Sequence, residues 1–303
     1  MYGLIGPAEA QAVLRLAAAA AAADGVGPLS EQTVLHVRHG GDDGARNLLL
    51  WRDGDLAGFA HLDAAADPAE ARSGELVVHP AHRRRGLGRM LVRAVSAEAG
   101  DRPVRLWAHG DLPAAAALAA ATGLTRARAL WRMSRSLRVP LAEPRLAPGI
   151  SVRTFVPGRD EPEWVALNAR AFAAHPEQGR WTVRDIDGRE REPWFDPAGF
   201  FLAERDGRMA GFHWTKIHPA GPAPGSGPVG EVYVIGVDPA EQGSGLGRAL
   251  TLVGLRYLRD RGLAEVMLYV EESNPAAIGL YESLGFSRAG TDVMYGDGLT
   301  RPT

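Results

Sequence analysis

Two glycine-rich stretches carry residue types and a spacing that suit the binding of an anion. The later stretch reads Gln242-Gly243-Ser244-Gly245-Leu246-Gly247, and the earlier one reads Arg83-Arg84-Arg85-Gly86-Leu87-Gly88. Each follows an apolar stretch and opens a segment with apolar residues at helical spacing. Glycines at a helix start let backbone N–H groups approach a phosphate, and the helix dipole favours its negative charge. The pattern predicts a first cradle at residues 83–88 and a second cradle at residues 242–247.

The kind of phosphate follows from what the two cradles lack. A nucleoside-triphosphate loop requires Gly-Lys-Ser/Thr, and a dinucleotide fingerprint requires G-x-G-x-x-G; neither pattern is present. The two cradles therefore lack the lysine that binds terminal phosphates and the hydroxyl that binds magnesium. The expected ligand is a diphosphate whose charge requires no metal.

An internal repeat indicates which elements position the cradles. An Asp-Gly hairpin turn, a strand that leads into a cradle, and a segment ending in Gly plus a large apolar residue occur twice in the same order. Each copy predicts the order helix, three strands, helix, strand, helix, strand. We therefore expect an α+β fold with a mixed sheet in two domains, residues 1–140 and 150–303, joined by a proline-rich linker at 141–149.

Composition limits the classes of function. The chain has 303 residues, 46% of them hydrophobic, a net charge of −2 and no cysteine. This balance argues against nucleic-acid and membrane partners, and the missing thiol excludes disulfides, thiolate metal sites and a cysteine nucleophile. The alanine run Ala17–Ala23 predicts a helix too short to span a bilayer. We expect a cytoplasmic monomer without a metal, and His175, His213 and His218 as pocket or surface residues.

The second cradle and a downstream block resemble the acetyl-CoA loop of the GCN5-related N-acetyltransferase (GNAT) family. The block combines Asn274, Ala276, Ala277, Tyr281 and Gly285-Phe286 in the order N-x-A-A-x-x-x-Y-x-x-x-G-F. The resemblance implies two tandem GNAT-fold domains, each with a mixed, mostly antiparallel sheet flanked by helices. It also implies acetyl-CoA as co-substrate.

Longer stretches, including "AFAAHPEQGRWT", "GFHWTKIHP" and "GEVYVIGVDP", resemble the mycothiol synthase family of tandem GNAT enzymes across nearly the whole chain. That resemblance implies acetyl transfer to the cysteinyl amine of Cys-GlcN-Ins, a small sugar-thiol amine. Such a reaction requires a neutral amine, a polarised thioester carbonyl and a proton for the departing thiolate. The resemblance implies Glu231 as the general base, directly or through water, and Tyr281 as the acid. Direct attack is expected, since no cysteine is present for a covalent relay.

The resemblance further implies two sets of contact residues. Cofactor contacts are expected from Leu76, Val77, Val78, Arg84, Arg85, Gly86, Leu87, Gly88 and Arg89 in the first half, and from Ile235, Gly236, Val237, Gln242, Gly243, Ser244, Gly245, Leu246, Gly247, Arg248, Asn274, Pro275, Ala276, Ala277, Ile278 and Gly279 in the second. Acceptor contacts are expected from Glu31, Glu177, Lys216, Glu231 and Tyr269. Glu31 would bring the first domain into the second domain's cleft; on sequence grounds alone, Glu31, Glu177 and Lys216 are equally explained as solvated surface charges.

The two halves differ at the positions that carry protons. Within the repeat, Ala119 corresponds to Tyr281, Leu112 to Asn274, and Arg72 to Glu231. Glu75 lies three residues beyond Arg72, an odd step that places it on the other face of the sheet unless a β-bulge intervenes. The first half is therefore expected to bind acetyl-CoA without turning it over.

Two alternatives remain open at the sequence level. A tandem acetyltransferase could act on another amine, such as an aminoglycoside, an amino acid or a protein N-terminus. A CoA-sensing protein could bind the cofactor in both halves without catalysis, although Glu231 and Tyr281 argue against it.

Overall fold

The computed structural model describes residues 5–40, 44–64, 70–173, 178–220 and 227–297. Packing divides them into two compact units. The first unit contains the described residues up to Trp131, together with Glu271–Ser273 and the residues from Gly290 onwards. The second unit contains Arg132–Val270 and Asn274–Ala289. The ranges 1–140 and 150–303 stay a prediction about the repeat, because packing and duplication define different boundaries.

The described residues form α-helices and β-strands in the order that the repeat predicts, with additions. The helices are α1 (Pro7–Asp24), α2 (Glu31–His39), α3 (Leu87–Ala99), α4 (Pro113–Ala121), α5 (Glu161–Ala171), α6 (Val183–Glu190), α7 (Leu246–Asp260) and α8 (Pro275–Ser283). The strands are β1 (Arg46–Arg52), β2 (Asp55–Leu62), β3 (Arg72–Val78), β4 (Val104–Ala108), β5 (Leu124–Ser136), β6 (Ile150–Thr154), β7 (Phe200–Arg205), β8 (Arg208–His218), β9 (Val229–Val237), β10 (Glu265–Glu271) and β11 (Ser287–Asp297). Helices α2 and α6 and strand β6 were not expected from the sequence.

Each unit is built on a mixed sheet in which antiparallel pairs dominate. In the first unit β1, β2 and β3 pair antiparallel, β3 and β4 pair parallel, and β4 pairs antiparallel with β11. In the second unit β6, β7, β8 and β9 pair antiparallel, and β9 and β10 pair parallel. The predicted α+β fold with a mixed, mostly antiparallel sheet flanked by helices is confirmed.

Both hairpins turn at the Asp-Gly pairs that the sequence indicates. Asp53 and Gly54 have φ angles of 52° and 88°, and Asp206 and Gly207 have φ angles of 50° and 75°. Two successive positive φ angles are the requirement of the type I′ turn, which matches the twist of a two-stranded ribbon.

Apolar helix faces cover the sheets. In the first unit, Val13 and Leu16 of α1 pack with Phe59 of β2, and Leu91 and Val95 of α3 belong to a second cluster. The second unit has an aromatic core centred on Trp164, Phe200, Phe212 and Trp214. Among the described residues, no helix is long and apolar enough to cross a membrane.

Candidate functional site

The second cradle forms a turn that exposes backbone amides at the start of α7. Asp238, directly after β9, accepts a hydrogen bond from the Ala240 N–H at 3.0 Å and so starts the turn. Gly243 and Gly245 then adopt φ angles of 78° and 83°. A Cβ added to either glycine would meet no atom within 4 Å, so the left-handed backbone, and not crowding, requires glycine there. Because Gly245 caps α7 without a side chain, the first N–H groups of this helix are available to an anion.

The first cradle repeats this construction with an arginine in place of one glycine. Arg84 has a φ of 62° and Gly86 a φ of 82°, the same left-handed backbone as Gly243 and Gly245. A side chain in that region costs about 1–2 kcal/mol. Arg84 is among the described residues that line a cavity.

That cavity lies within the first unit and has a volume of about 530 Å³. It brings together most of the predicted first-half contacts: Leu76, Val77, Val78, Arg84, Gly86, Leu87, Gly88 and Arg89. Arg85 is exposed and is not among the described residues that line it. The alanines Ala114, Ala115, Ala117 and Ala119 of α4 line it as well. Ala119 thus leaves open space in the helix position where the second unit carries Tyr281.

Arg83, the first residue of the first cradle, is engaged elsewhere. Its Nη1 and Nη2 donate to the two carboxylate oxygens of Asp24 at 2.6 and 2.7 Å, and its Nε donates to the Val78 carbonyl at 3.2 Å. The bidentate pair ties the cradle to the end of α1. Arg83 also lines the cavity, and its part in phosphate binding stays a prediction.

In both units the strand before the cradle parts from its parallel neighbour. The recorded pairing of β9 with β10 ends at Val232 opposite Leu268, although β9 runs on to Val237. In the first unit β3 pairs with β4 as far as Glu75 opposite Trp107, and β3 runs on to Val78. Two sets of predicted cofactor contacts, Ile235–Val237 and Leu76–Val78, are the strand ends beyond these last pairs.

A glycine inside a strand commonly marks a bulge or a close approach of a ligand, and the structure gives a different reason for Gly236. A Cβ at Gly236 would lie 2.6 Å from Cε1 of the Phe212 ring. The bulge lies earlier in β9, because Trp214 pairs with Val234 and Thr215 with Val232, which leaves Tyr233 as the extra residue. Packing against the aromatic core therefore requires the glycine.

Glu231 lies on β9 one residue before the last pair with β10. It is buried, and its Oε2 accepts a hydrogen bond from His218 Nε2 at 2.7 Å. Lys216 pairs directly with Glu231 in the antiparallel register and is also buried. Its Nζ lies 4.2 Å from the centre of the Trp194 ring and 5.2 Å from that of Tyr233. A carboxylate, an imidazole and an ammonium thus share one face, with an aromatic wall beside them.

Tyr281 lies in the second unit on α8, and the predicted block spans this helix from its cap to the residues after its end. Asn274 caps the helix by accepting a hydrogen bond from the Ala277 N–H at 3.1 Å, and Pro275 starts it. Tyr281 is buried against Phe286, with ring centres 5.8 Å apart. Burial raises the pKa of its hydroxyl to about 12. The phenol therefore stays protonated at neutral pH and can act only as a donor of its proton or as a hydrogen-bond partner.

The remaining predicted contacts have mixed positions. Gln242 and Ser244 are exposed, and the Ser244 hydroxyl donates to the Glu241 carbonyl at 2.6 Å. Arg248 donates to the Ser283 hydroxyl at 2.6 Å, which links α7 to α8. Leu246, Gly247 and Ala249 form the first turn of α7, while Ala276, Ile278 and Gly279 lie in α8.

The predicted acceptor contacts are divided between the two units. Lys216 and Glu231 face each other in the second unit, and Tyr269 of β10 is 41% exposed. Glu31 begins α2 in the first unit, so its contribution stays a prediction. Glu177 lies outside the described residues, as does His175.

Of the two described histidines expected in a pocket or at the surface, His213 departs from the expectation and His218 fits it. His213 is fully buried, its Nδ1–H donates to the Leu250 carbonyl at 2.8 Å, and burial lowers its pKa to about 4, so it is a neutral core residue. His218, which was given no role, contacts Glu231. Alternation along β8 was the available signal, because Lys216 and His218 are two residues apart and share a face.

The first unit contains a buried ion-pair network that sequence reasoning missed. His109 donates from Nε2 to Glu75 Oε1 at 3.1 Å and from Nδ1 to Asp292 Oδ2 at 2.9 Å. Although burial opposes the charge, the two carboxylates raise the pKa of His109 to about 10. His109 and the Ser30 N–H in turn hold the pKa of Glu75 below its usual value. No local motif joins these distant residues, so only the fold brings them together.

The Tyr233 bulge also changes the correspondence between the two halves. Strands β2 and β3 pair without a bulge from Gly58 opposite Val78 to Leu62 opposite Gly74. Counted by pairing, Ser73, and not Arg72, corresponds to Glu231. Glu75 is an even step from Ser73 and therefore shares the equivalent face. The sequence left open whether a β-bulge intervenes. The structure has one, and it lies at Tyr233 of β9.

Comparison with known proteins decides the family. The model of the acetyltransferase (GNAT) family matches residues 18–123 and 164–286, one copy of the repeat each. This chain belongs to the acetyltransferase (GNAT) family. The tandem arrangement of two GNAT-fold domains, expected from the resemblance, is thereby confirmed.

Named relatives and a solved structure match nearly the whole length of this chain. A protein of Thermobispora bispora named mycothiol acetyltransferase is 63% identical over 95% of this chain and 96% of its own length. A second mycothiol acetyltransferase, of Thermomonospora curvata, is 59% identical over 97% of this chain and 95% of its own. A tandem GNAT protein from the clavulanic acid biosynthesis pathway covers 98% of this chain and 97% of its own, with a TM-score of 0.73 and 23% identity, which shows the fold alone.

Members of the GNAT family use acetyl-CoA, and both cradles fit its diphosphate. Each has left-handed backbone at alternate positions, open space above the glycine and a helix start directly after it. The first cradle adds Arg84 and Arg89 at the cavity wall, and arginine supplies charged donors for phosphate oxygens.

Proposed function

We propose that this chain transfers the acetyl group of acetyl-CoA to the cysteinyl amine of Cys-GlcN-Ins, giving mycothiol. The observation that carries the proposal is the position of Glu231. Its carboxylate lies one residue before β9 parts from β10, and the same strand continues into the second cradle. A thioester whose diphosphate occupies that cradle and whose pantetheine arm follows Ile235–Val237 would present its carbonyl near this carboxylate. The relatives named mycothiol acetyltransferase support the choice of acceptor.

The proposed reaction is a direct displacement in the second unit. Glu231, directly or through one water, accepts the proton that the amine loses as its lone pair attacks the thioester carbonyl carbon. The C–S bond breaks and the thiolate of CoA leaves, with the Tyr281 hydroxyl as its hydrogen-bond donor and source of a proton. Backbone N–H groups at the free edge of β9 stabilise the developing oxyanion.

The acceptor is proposed to lie against Lys216, Glu231 and Tyr269 of the second unit. A polyhydroxylated sugar requires donors and acceptors held in fixed positions, and an aromatic wall favours the apolar face of a sugar ring. Lys216 supplies a hydrogen-bond donor beside the rings of Trp194 and Tyr233, which form the aromatic wall. The Glu231 carboxylate supplies an acceptor. Arg189 Nε donates to the Tyr233 hydroxyl at 2.7 Å and steadies that wall.

The first unit is proposed to bind acetyl-CoA without turnover. The carboxylate of Glu75 is committed to His109 and the Ser30 N–H, which lower its pKa and make it a weak base. Ala119 supplies no hydroxyl for a leaving thiolate. The cavity of this unit therefore has the binding elements of the second unit without the pair that moves protons.

The test is a comparison of acceptors with the purified full chain and acetyl-CoA. Product formation is followed by mass spectrometry, because the acceptor's own thiol would react with a thiol reagent used to detect CoA. Cys-GlcN-Ins is compared with GlcN-Ins, free cysteine, an aminoglycoside and a peptide N-terminus. We expect kcat/KM for Cys-GlcN-Ins to exceed the others by about 10²-fold or more, since the alternatives leave buried polar groups unpaired. An equal or higher value for any alternative contradicts the proposed acceptor.

A further inference from the structure

We propose that the first unit binds a divalent transition-metal ion, best matched by Zn²⁺, between His36, His61 and Asp63. His36 Nδ1 lies 3.2 Å from His61 Nε2, and the same His61 atom lies 3.2 Å from Asp63 Oδ1. The three potential ligand atoms all lie within 4.8 Å of one another. This cluster is separate from the residues to which acetyl transfer is assigned, and its test does not depend on that assignment.

The separations suit a tetrahedral ion. Zn²⁺ binds imidazole nitrogen at 2.0–2.1 Å, so two neighbouring ligand atoms at a tetrahedral angle lie roughly 3.3 Å apart. The two measured separations of 3.2 Å are close to this value. Small rotations of the half-exposed Asp63 side chain would bring the third edge into range, and a water molecule would complete the coordination.

The number of protons available to His61 and its neighbours also favours a cation at this position. His61 is fully buried, and its Nδ1–H donates to Asn47 Oδ1 at 2.8 Å, which leaves Nε2 with the lone pair in the neutral ring. That lone pair faces the Asp63 carboxylate, so one acceptor opposes another. A neutral His36 can donate its Nδ1–H to this nitrogen, but that proton leaves the Asp63 carboxylate facing an acceptor. Gln32 Nε2 lies 2.6 Å from His36 Nε2, and its amide, turned to present its oxygen, accepts the Nε2–H of a ring that binds metal through Nδ1. A metal ion would give the two nitrogens and the carboxylate one shared partner.

The surrounding elements hold the ligands in the manner of a metal site. Asn47 and His61 are directly paired across β1 and β2, so Asn47 fixes both the tautomer and the ring orientation of His61. His61 and Asp63 are two residues apart and share a face of the chain, and α2 supplies His36. The 40% exposed Asp63 side chain provides an entry route from solvent.

The donor set decides the class of ion. Two imidazole nitrogens and one carboxylate oxygen favour Zn²⁺ and its neighbours among the transition metals, whereas Mg²⁺ prefers oxygen ligands. No contiguous sequence motif identifies the site. His36 lies on α2, His61 lies in β2, and Asp63 comes directly after β2. The expectation of a chain without metal is revised by this proposal.

The test uses the full chain after removal of metals with a chelator. Zn²⁺ is titrated by calorimetry, Tm is measured with and without Zn²⁺, and Co²⁺ is added to record the visible absorption of a tetrahedral site. We expect one equivalent of Zn²⁺ to bind, Tm to rise and the Co²⁺ bands to develop. Asp63→Asn should weaken Zn²⁺ binding by about tenfold or more, while the matched control Asp55→Asn, on the exposed start of β2, should bind as wild type.

His36→Gln provides a second arm, with metal-free circular dichroism to establish that it folds. It should lose the Co²⁺ bands and the rise in Tm. The proposal is overturned if wild type shows neither heat nor a rise in Tm with Zn²⁺. It is equally overturned if Asp63→Asn and His36→Gln respond as wild type does, or if Mg²⁺ has the same effect as Zn²⁺.

Discussion

His218 Nε2 donates a hydrogen bond of 2.7 Å to Glu231 Oε2, and both residues lie where β8 and β9 run side by side in the second unit. The bond joins the carboxylate proposed as base to a side chain that shares a face of β8 with Lys216 and was expected only as a pocket or surface residue. It orients one carboxylate oxygen and leaves the other for an amine or a water molecule. The consequences of this pair can be measured separately for each member.

Glu231→Gln should lower kcat by about 10²–10⁴-fold, the usual contribution of a positioned general base. The amide keeps the size and much of the hydrogen bonding of the carboxylate but cannot accept the amine's proton. Steady-state kinetics, together with calorimetry for acetyl-CoA, would show turnover lost and cofactor affinity kept. Glu265→Gln on β10, where Glu265 is exposed, is the matched control. A Glu231→Gln variant with wild-type kcat would remove Glu231 as the base.

His218→Asn should give a smaller loss of kcat than Glu231→Gln, because His218 acts on the reaction through the carboxylate. As a positioning residue, it should lower kcat and leave the KM for acetyl-CoA unchanged, because the proposed cofactor site is the second cradle and not the carboxylate. The measurement is steady-state kinetics of both enzymes, with Tm as a check on folding. If kcat is unchanged and only Tm falls, His218 has a purely structural role.

Tyr281→Phe should lower turnover while leaving acetyl-CoA affinity unchanged. Because the pKa of Tyr281 is about 12, its hydroxyl remains protonated throughout an ordinary assay range. The alkaline side of the kcat profile should therefore have the same shape in wild type and variant. Tyr257→Phe, which removes a hydroxyl bonded to Asp196 at 2.6 Å, controls for loss of a tyrosine in this unit. Unchanged turnover in Tyr281→Phe would contradict its role as the acid.

The His109 network should make stability depend on pH in the alkaline range. The pKa of His109 is raised from 6.5 to about 10 in the folded chain, so the folded state binds the proton more tightly than the unfolded state. This stabilisation is complete below pH 6.5 and is lost as pH rises towards 10. Thermal unfolding at several pH values should show a fall in Tm over this window that His109→Asn reduces. An equal fall in both proteins would show that His109 does not carry it.

Local chemistry in the sequence predicted much of the fold. The Asp53-Gly54 and Asp206-Gly207 turns follow from residues adjacent in the chain, and the repeat predicts the order of the elements around them. Helices α2 and α6 were missed because each is short and depends on packing for its stability.

The candidate site was predictable only where a motif is local. The cradles and Tyr281 belong to contiguous patterns, and the structure places them at helix starts and on α8 as expected. The Tyr233 bulge, the contact of Phe212 at Gly236, and the Arg83–Asp24 pair depend on tertiary neighbours. Sequence spacing carries no signal for such contacts.

The central claim is that both cradles bind acetyl-CoA and only the second supports turnover. Gly86→Asp and Gly245→Asp test it as a matched pair, because aspartate tolerates left-handed backbone and its charge repels a diphosphate. Gly86→Asn and Gly245→Asn supply the same shape without the charge. The measurement is calorimetric stoichiometry for acetyl-CoA alongside kcat. We expect wild type to bind two equivalents of acetyl-CoA. Gly86→Asp should bind one equivalent with unchanged kcat, and Gly245→Asp should bind one equivalent without turnover. Turnover that survives in Gly245→Asp, or disappears in Gly86→Asp, would contradict the central claim.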